Sequence, residues 1–178
     1  MMKEQKNILT VPYDTPCGQL LLGAHDGRLC LCDWMSRKNR QAVDSRLQRL
    51  LHAVPTGHTA HDRVLDTARQ QLDEYFGRKR TTFSVPLLLA GTECQKPVWA
   101  LLAASPYGTV LSYAQLARRL GNPRAVRAVA SANGANALSI FIPCHRVIGS
   151  DGSMTGYAGG MAAKEYLLQL ERDPQPSI

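Results

Sequence analysis

The chain has 178 residues, a net charge of +7 and 44% hydrophobic residues, enough apolar content for a packed core and too much for a disordered chain. No apolar run reaches the length of a bilayer-spanning helix. The N-terminus Met1-Met2-Lys3-Glu4-Gln5-Lys6-Asn7 is polar with no signal-peptide core behind it, so a cytoplasmic protein without membrane contact is expected. The five cysteines, Cys17, Cys30, Cys32, Cys94 and Cys144, are odd in number and irregularly spaced, which argues against a disulfide framework.

In chain order, residues 8–12, 18–24 and 28–34 read as strands. Turn chemistry separates them: Asp14-Thr15-Pro16-Cys17-Gly18, then His25-Asp26-Gly27, where Asp-Gly between apolar runs signals a hairpin. The expectation is a small antiparallel meander. Cys30 and Cys32 then fall on one side of a strand and, with His25, could contribute to a metal site. The plainer reading is two small buried residues, and no metal is expected. Val64, Leu65, Ala68, Leu72, Tyr75 and Phe76 keep a helical period across 62–76. A further strand is expected near 81–85, before Pro86.

The second half is better marked. Thr92-Glu93-Cys94-Gln95 is a capping box opening a helix toward Ala104, with Pro97 an unexplained breaker beyond its first turn. Ser112-Tyr113-Ala114-Gln115 is a second box, opening a short helix that ends at Leu120 with Gly121 as its left-handed stop. Asn122 caps a third helix and Pro123 suits its first position. Helix, glycine-containing turn, helix is the helix-turn-helix pattern. On the third helix Arg124 and Arg127 share a face, followed by the small residues Ala125, Ala128, Ala130, Ser131 and Ala132. Asn133–Asn136 reads as a loop, Leu138–Ile142 as a buried strand, and Gly149–Gly160 as a mobile Gly- and Ser-rich loop. The last helix spans about 161–171, with a frayed tail after Asp173. The fold class is therefore α+β: a scaffold domain at 1–88 built on a small antiparallel sheet with helices, and a mainly helical domain at 89–178.

The charge is concentrated. No acidic residue occurs between Glu93 and Asp151, while Lys96, Arg118, Arg119, Arg124, Arg127 and Arg146 do. Such a one-sign segment suits a polyanion, most simply nucleic acid, or a solvated surface. Cys144 follows the expected buried strand directly, beside His145 and Arg146. A basic imidazole or a nearby positive charge favours the reactive thiolate. Neighbours on an extended chain point apart, so something must turn the backbone or bridge the two groups; Pro143 is consistent with a fixed turn there.

Ile142-Pro143-Cys144-His145-Arg146-Val147-Ile148 resembles the active-site motif of the O6-alkylguanine-DNA alkyltransferases. Gly91-Thr92, Val98-Trp99, Ser112-Tyr113, Gly121-Asn122-Pro123, Arg127-Ala128-Val129, Ala132-Asn133, Gly156–Gly160, Lys164 and Glu171 fall in that family's order over about 90–171. The first half matches loosely, through its meander and Thr15-Pro16-Cys17-Gly18.

The resemblance implies repair of duplex DNA by direct, irreversible transfer of an alkyl group from O6-alkylguanine, with O4-alkylthymine a second candidate base, to Cys144. The lesion oxygen lies inside the duplex, so the nucleotide is flipped out. By resemblance, Arg127 fills the gap left by the base, and Tyr113 bends the backbone and donates to the base. Ala128, Ala130, Ser131 and Arg124 face the minor groove, and Val147, Tyr157, Ala158 and Lys164 line the substrate side. His145 would accept the thiol proton through a water, Glu171 would hold the imidazole, and Asn136 would support the cysteine. No cofactor is implied, and the acting species would be a monomer. Ala130, Cys94 and Ala137 depart from the family's usual glycine, aromatic and proline. Two other classes compete: a module that binds alkylated DNA without transfer, for which the nucleophile is superfluous, and a Cys-His hydrolase, which would turn over.

Overall fold

The computed structural model describes residues 5–57 and 61–173. The expected fraying beyond Asp173 and the reading of Met1–Glu4 lie outside those residues.

The meander forms as expected. Strands β1 (Lys6–Thr15), β2 (Gly18–His25) and β3 (Arg28–Trp34) pair antiparallel, and Asp26 and Gly27 both take positive φ in the tight turn between β2 and β3, the conformation an Asp-Gly hairpin demands. Two features correct the sequence reading. A bulge between Gly23 and Ala24 breaks the alternation of β3, so Cys30 and Cys32 do not share a face; they pack in separate apolar clusters. The sheet is also mixed. A helix, α1 (Arg40–Leu51), leads into β4 (Ala53–Gly57), which runs parallel to β1 and gives the order β3-β2-β1-β4. Neither element was expected. Only Val43 and Leu47 of α1 are buried, a thin stripe in an Arg- and Gln-rich segment, and Pro55 reads as a breaker until it is seen to lie on an edge strand, where it is tolerated.

Helix α2 (Arg63–Phe76) buries Val64, Leu65, Ala68, Leu72 and Tyr75, and the Asp62 carboxylate caps it by accepting from Leu65 N at 2.9 Å. The strand expected at 81–85 is absent. The Gln71 side-chain oxygen takes the backbone N–H groups of Ser84 and Val85, leaving only a bridge between Leu29 and Leu87.

Helix α3 (Gln95–Ala103) follows the reciprocal bonds between Thr92 and Gln95. It begins at Gln95, so Pro97 sits in its first turn, where no N–H is required; this corrects the placement of that proline in the helix interior. Strand β5 (Leu111–Ser112) opens α4 (Tyr113–Arg119) through a complete capping box. Gly121 has φ +78, the left-handed stop that was expected. Helix α5 (Val126–Gly134) starts later than expected. Asn122 caps a turn by accepting from Arg124 N at 3.3 Å rather than capping the helix, so Arg124 precedes α5 and the helix takes in Asn133. Strand β6 (Val147–Ile148) pairs parallel to β5, and α6 (Met161–Arg172) closes the chain.

One apolar core joins both halves. Leu20, Leu22 and Trp34 of the sheet and Leu65 and Leu72 of α2 pack in the same cluster as Trp99, Leu102, Leu116, Val129, Ile142 and Leu167. Burial of this kind contributes roughly 1.5–3 kcal/mol per large side chain, so the segment around Cys144 is anchored to both halves. Among the described residues no helix is long and apolar enough to cross a membrane.

Candidate active site

The segment expected as a buried strand at 138–142 is buried but not extended. Phe141 N donates to Ser139 O at 2.9 Å across Ile140, whose φ is +73. This is the strained form of the γ-turn, costly for a β-branched residue. Cys144 N then donates to Ile142 O at 2.8 Å across Pro143 at φ −80 and ψ 67, the relaxed γ-turn. Two reversals within six residues, followed by the 3-10 turn Cys144–Arg146, turn the thiol and imidazole out of the alternation that an extended chain would impose.

Asn136 holds this arrangement. Its amide donates to Ile142 O at 2.8 Å, and its carbonyl accepts from Leu138 N at 2.9 Å. Cys144 is 4% exposed and lines a cavity of about 130 Å³ with Asn133, Gly134, Gly156, Tyr157 and Ala158. Burial pushes its thiol pKa above the ordinary value, while the Asn136 amide and the charges of Arg37 and Lys164 pull it down without overcoming burial. The expectation of a favoured thiolate is therefore corrected: the resting group is the thiol, and reaction needs a proton acceptor.

The next residue in the chain is a candidate acceptor. His145 is wholly buried, and its Nε2 lies 2.8 Å from Glu171 Oε1. Burial raises the Glu171 carboxyl, but hydrogen bonds from His145 and Arg146 overcome this and hold it at about 2. It is ionised and can only accept, so Nε2 carries the hydrogen. Burial lowers the His145 pKa more than Glu171 raises it, leaving a neutral ring at pH 7 with its lone pair on Nδ1. Nδ1 has no hydrogen-bond partner among the described residues. Arg146 completes the cluster through Nε to Glu171 Oε2 at 2.8 Å and Nη1 to Ser105 O at 2.7 Å.

Tyr75, Arg37 and Arg46, all from the first half, reach this site, and sequence reasoning singled out none of them for it. The Tyr75 hydroxyl donates to Glu171 Oε1 at 2.8 Å. Arg37 donates to the Asp33 carboxylate, to Asn136 O at 3.1 Å and to Gly134 O. Arg46 donates to Ala135 O at 2.6 Å. Arg37 and Arg46 thus satisfy the carbonyls of the turn that carries Asn136. Ser36-Arg37-Lys38-Asn39-Arg40 looks like a solvated basic run, and nothing local distinguishes it.

The remaining expected residues divide by exposure. Arg124, Arg127, Ala128 and Ser131 are exposed, Ala130 is half-buried, and Arg118 and Arg119 are exposed on α4. The Tyr113 hydroxyl shares a 2.8 Å hydrogen bond with Thr155 Oγ1, and Tyr157 accepts one from Trp34 Nε1 at 3.2 Å. Ala158 lines the Cys144 cavity. The Val147 side chain is buried and its carbonyl accepts from Lys164 Nζ at 2.6 Å. Lys164 corrects an expectation. Its side chain is wholly buried and also donates to Thr155 O at 3.2 Å, so it props β6 and the glycine-rich loop from behind instead of facing DNA. Among the described residues no three His, Cys, Asp or Glu side chains are grouped to hold a metal.

Residues 93–173 match the family described as 6-O-methylguanine DNA methyltransferase, DNA binding domain, and residues 9–89 match its ribonuclease-like domain. The methylated-DNA–protein-cysteine methyltransferase of Methanosarcina acetivorans is 38% identical over 159 residues, covering 89% of this chain and 95% of that protein. The constitutive enzyme of Bacillus subtilis is 41% identical over 160 residues, covering 89% and 92%. The crystal structure of Mycobacterium tuberculosis O6-methylguanine methyltransferase superposes with a TM-score of 0.77 at 37% identity, covering 97% of this chain and 96% of that one. A structure of the same enzyme in complex with DNA gives 0.77 at 36% identity, covering 93% of each.

Proposed function

The chain belongs to the 6-O-methylguanine DNA methyltransferase family, which repairs O6-alkylguanine in DNA by moving the alkyl group to a cysteine of the protein itself, and on that premise we propose that Cys144 is the acceptor, His145 its base and Glu171 the group that orients the base. The observation that carries the reading is the orphaned Nδ1 of His145, the residue that follows Cys144 in the chain, with Nε2 fixed on an ionised carboxylate.

The chemistry follows from that geometry. With the lesion base in the cavity, a bridging water passes the thiol proton to Nδ1. The imidazolium that forms faces Glu171, which offsets the cost of a buried charge. Sulfur attacks the alkyl carbon, a C–S bond forms and the C–O6 bond breaks. The electron pair leaves with the base, which takes up a proton and is restored as guanine. A thioether is a poor leaving group and no residue here regenerates the thiol, so each molecule reacts once.

Delivery of the base assigns the exposed face. α4, the turn after it and α5 are read as a helix-turn-helix with Arg127 filling the gap in the stack, Arg124 on phosphate, and Ala128, Ala130 and Ser131 allowing close approach in the minor groove. Tyr113 donates to the flipped base, and Tyr157, Ala158 and the Val147 backbone line its pocket. The family matches divide the chain near residue 90, which supports reading it as a scaffold domain and a DNA-binding domain. The proposed site is complete within one chain, which supports a monomer as the acting species.

Intact-mass measurement after incubation with an O6-methylguanine duplex tests this. Wild type is expected to gain a single methyl and Cys144→Ala none. An unchanged wild-type mass despite complex formation would support a binding module instead, and repeated turnover on an ester or peptide a hydrolase.

A further inference from the structure

Glu171 is held by more than the second half of the chain. Tyr75 lies at the last turn of α2, wholly buried, among the rings of Phe76, Phe83 and Tyr107. Its hydroxyl donates at 2.8 Å to Oε1, the same oxygen that faces His145 Nε2. Burial and the neighbouring carboxylate push the phenol pKa well above its ordinary value, so it stays protonated and remains a donor. The other Glu171 oxygen is served by Arg146 Nε at 2.8 Å and Gly108 N at 3.3 Å, and Arg146 Nη2 reaches Oε1 at 3.0 Å. Three aromatic side chains meet around Tyr75, so its hydroxyl has one position and the donor is fixed in direction.

We propose that Tyr75 is a positioning residue of the transfer reaction, its phenol holding the Glu171 oxygen that orients His145 and drawing off part of that oxygen's charge. This rests on the reading of His145 as the base. A donor shared on Oε1 weakens the carboxylate's pull on the Nε2 hydrogen and so keeps the imidazole less basic. The other charged or titratable groups around His145 are Arg146 beside it, Lys164 on α6 and the Tyr157 ring at 6.5 Å between centroids, with the Cys144 thiol preceding it in the chain. All of these stay when Tyr75 is changed. The first half of the chain is thereby part of the catalytic apparatus as well as a scaffold.

The test is the single-turnover rate of methyl transfer from an O6-methylguanine duplex, followed from pH 5 to 9 in Tyr75→Phe and wild type. Loss of the phenol frees Oε1 to bind the imidazolium more tightly. The midpoint at which the rate rises with pH is expected to move upward by about half a unit, and the plateau to fall about three- to tenfold as Glu171 loses a fixed partner. The Kd for the duplex should stay within twofold. Tyr13→Phe is the control: it removes a phenol donating to Asp73 at 2.6 Å, outside the hydrogen bonds of Glu171, and should leave midpoint and plateau alone. Tyr75→4-aminophenylalanine keeps the ring and a weaker donor. It should give an intermediate midpoint, and it is the variant to read if Tyr75→Phe does not fold. A Tyr75→Phe profile superimposable on wild type, with only a lowered melting temperature, would overturn the proposal while leaving His145 as the base. A wild-type rate with no dependence on His145 or Glu171 would overturn the underlying reading instead.

Discussion

Glu171 and Arg146 are both nearly sealed from solvent, and each is the other's main counter-charge. Breaking such a pair strands a buried cation, at a cost of about 3–5 kcal/mol. Urea unfolding of Glu171→Gln at pH 7.5 should show a loss in that range, and a change under 1 kcal/mol would mean that Arg146 finds water or another partner. The pH dependence has a defined sign. Glu171 is depressed to about 2, so its contribution is present above the ordinary carboxylate value near 4.3 and is lost as pH falls through about 2. His145 is also depressed, by burial. Its contribution is lost as pH drops below about 6.5, where the unfolded chain takes up the proton first. Mild acid should therefore weaken the fold before Glu171 is protonated.

At the scale of elements, the path into Cys144 depends on a backbone reversal that the amino-acid order does not advertise. Leu138-Ser139-Ile140-Phe141-Ile142 is as apolar as a buried strand, and strand was the reasonable expectation. Only the coordinates reveal Ile140 at φ +73. The side chain there is 1% exposed, so core packing holds a residue in a conformation costing it roughly 1–2 kcal/mol. This inverts a familiar order. Ile140→Ala loses packing and keeps the strain, whereas Ile140→Gly loses slightly more packing and is freed of the strain. Thermal or urea unfolding should find the glycine variant the more stable of the two, though both fall below wild type. An alanine variant more stable than glycine would show that the turn stores no strain. The capped helices were legible for the opposite reason. Ser112 with Gln115, and Thr92 with Gln95, act over three residues and leave their signature in the local sequence.

Across the whole molecule, legibility declines with sequence separation. Cys144, His145, Asn136 and Glu171 could be singled out because one half of the chain carries them in recognisable order. Tyr75, Arg37 and Arg46 lie among ordinary surface-like sequence and reach the site only when the core closes. Charge was readable in sum but not in place. Of the basic residues between Glu93 and Asp151, Arg146 turns inward to Glu171, and Arg118, Arg119, Arg124 and Arg127 remain exposed. On the proposed reading Arg118, Arg119 and Arg124 meet phosphate and set the salt dependence of DNA binding, each contact steepening the log–log slope by about 0.9. Arg124→Ala should flatten that slope by about one contact. Arg127→Ala should leave the slope nearly unchanged and depress repair of a duplex more than reaction with free O6-methylguanine. Equal losses on both substrates would contradict the gap-filling assignment.

Which of the five cysteines takes up the methyl group decides the account most directly. A duplex carrying isotopically labelled O6-methylguanine, one equivalent of protein and peptide mapping after digestion would locate it. The label is predicted in one peptide, on Cys144, at no more than one methyl per chain. Label on Cys17, Cys30, Cys32 or Cys94, or spread among them, would contradict the assignment of the buried thiol beside His145 as the acceptor.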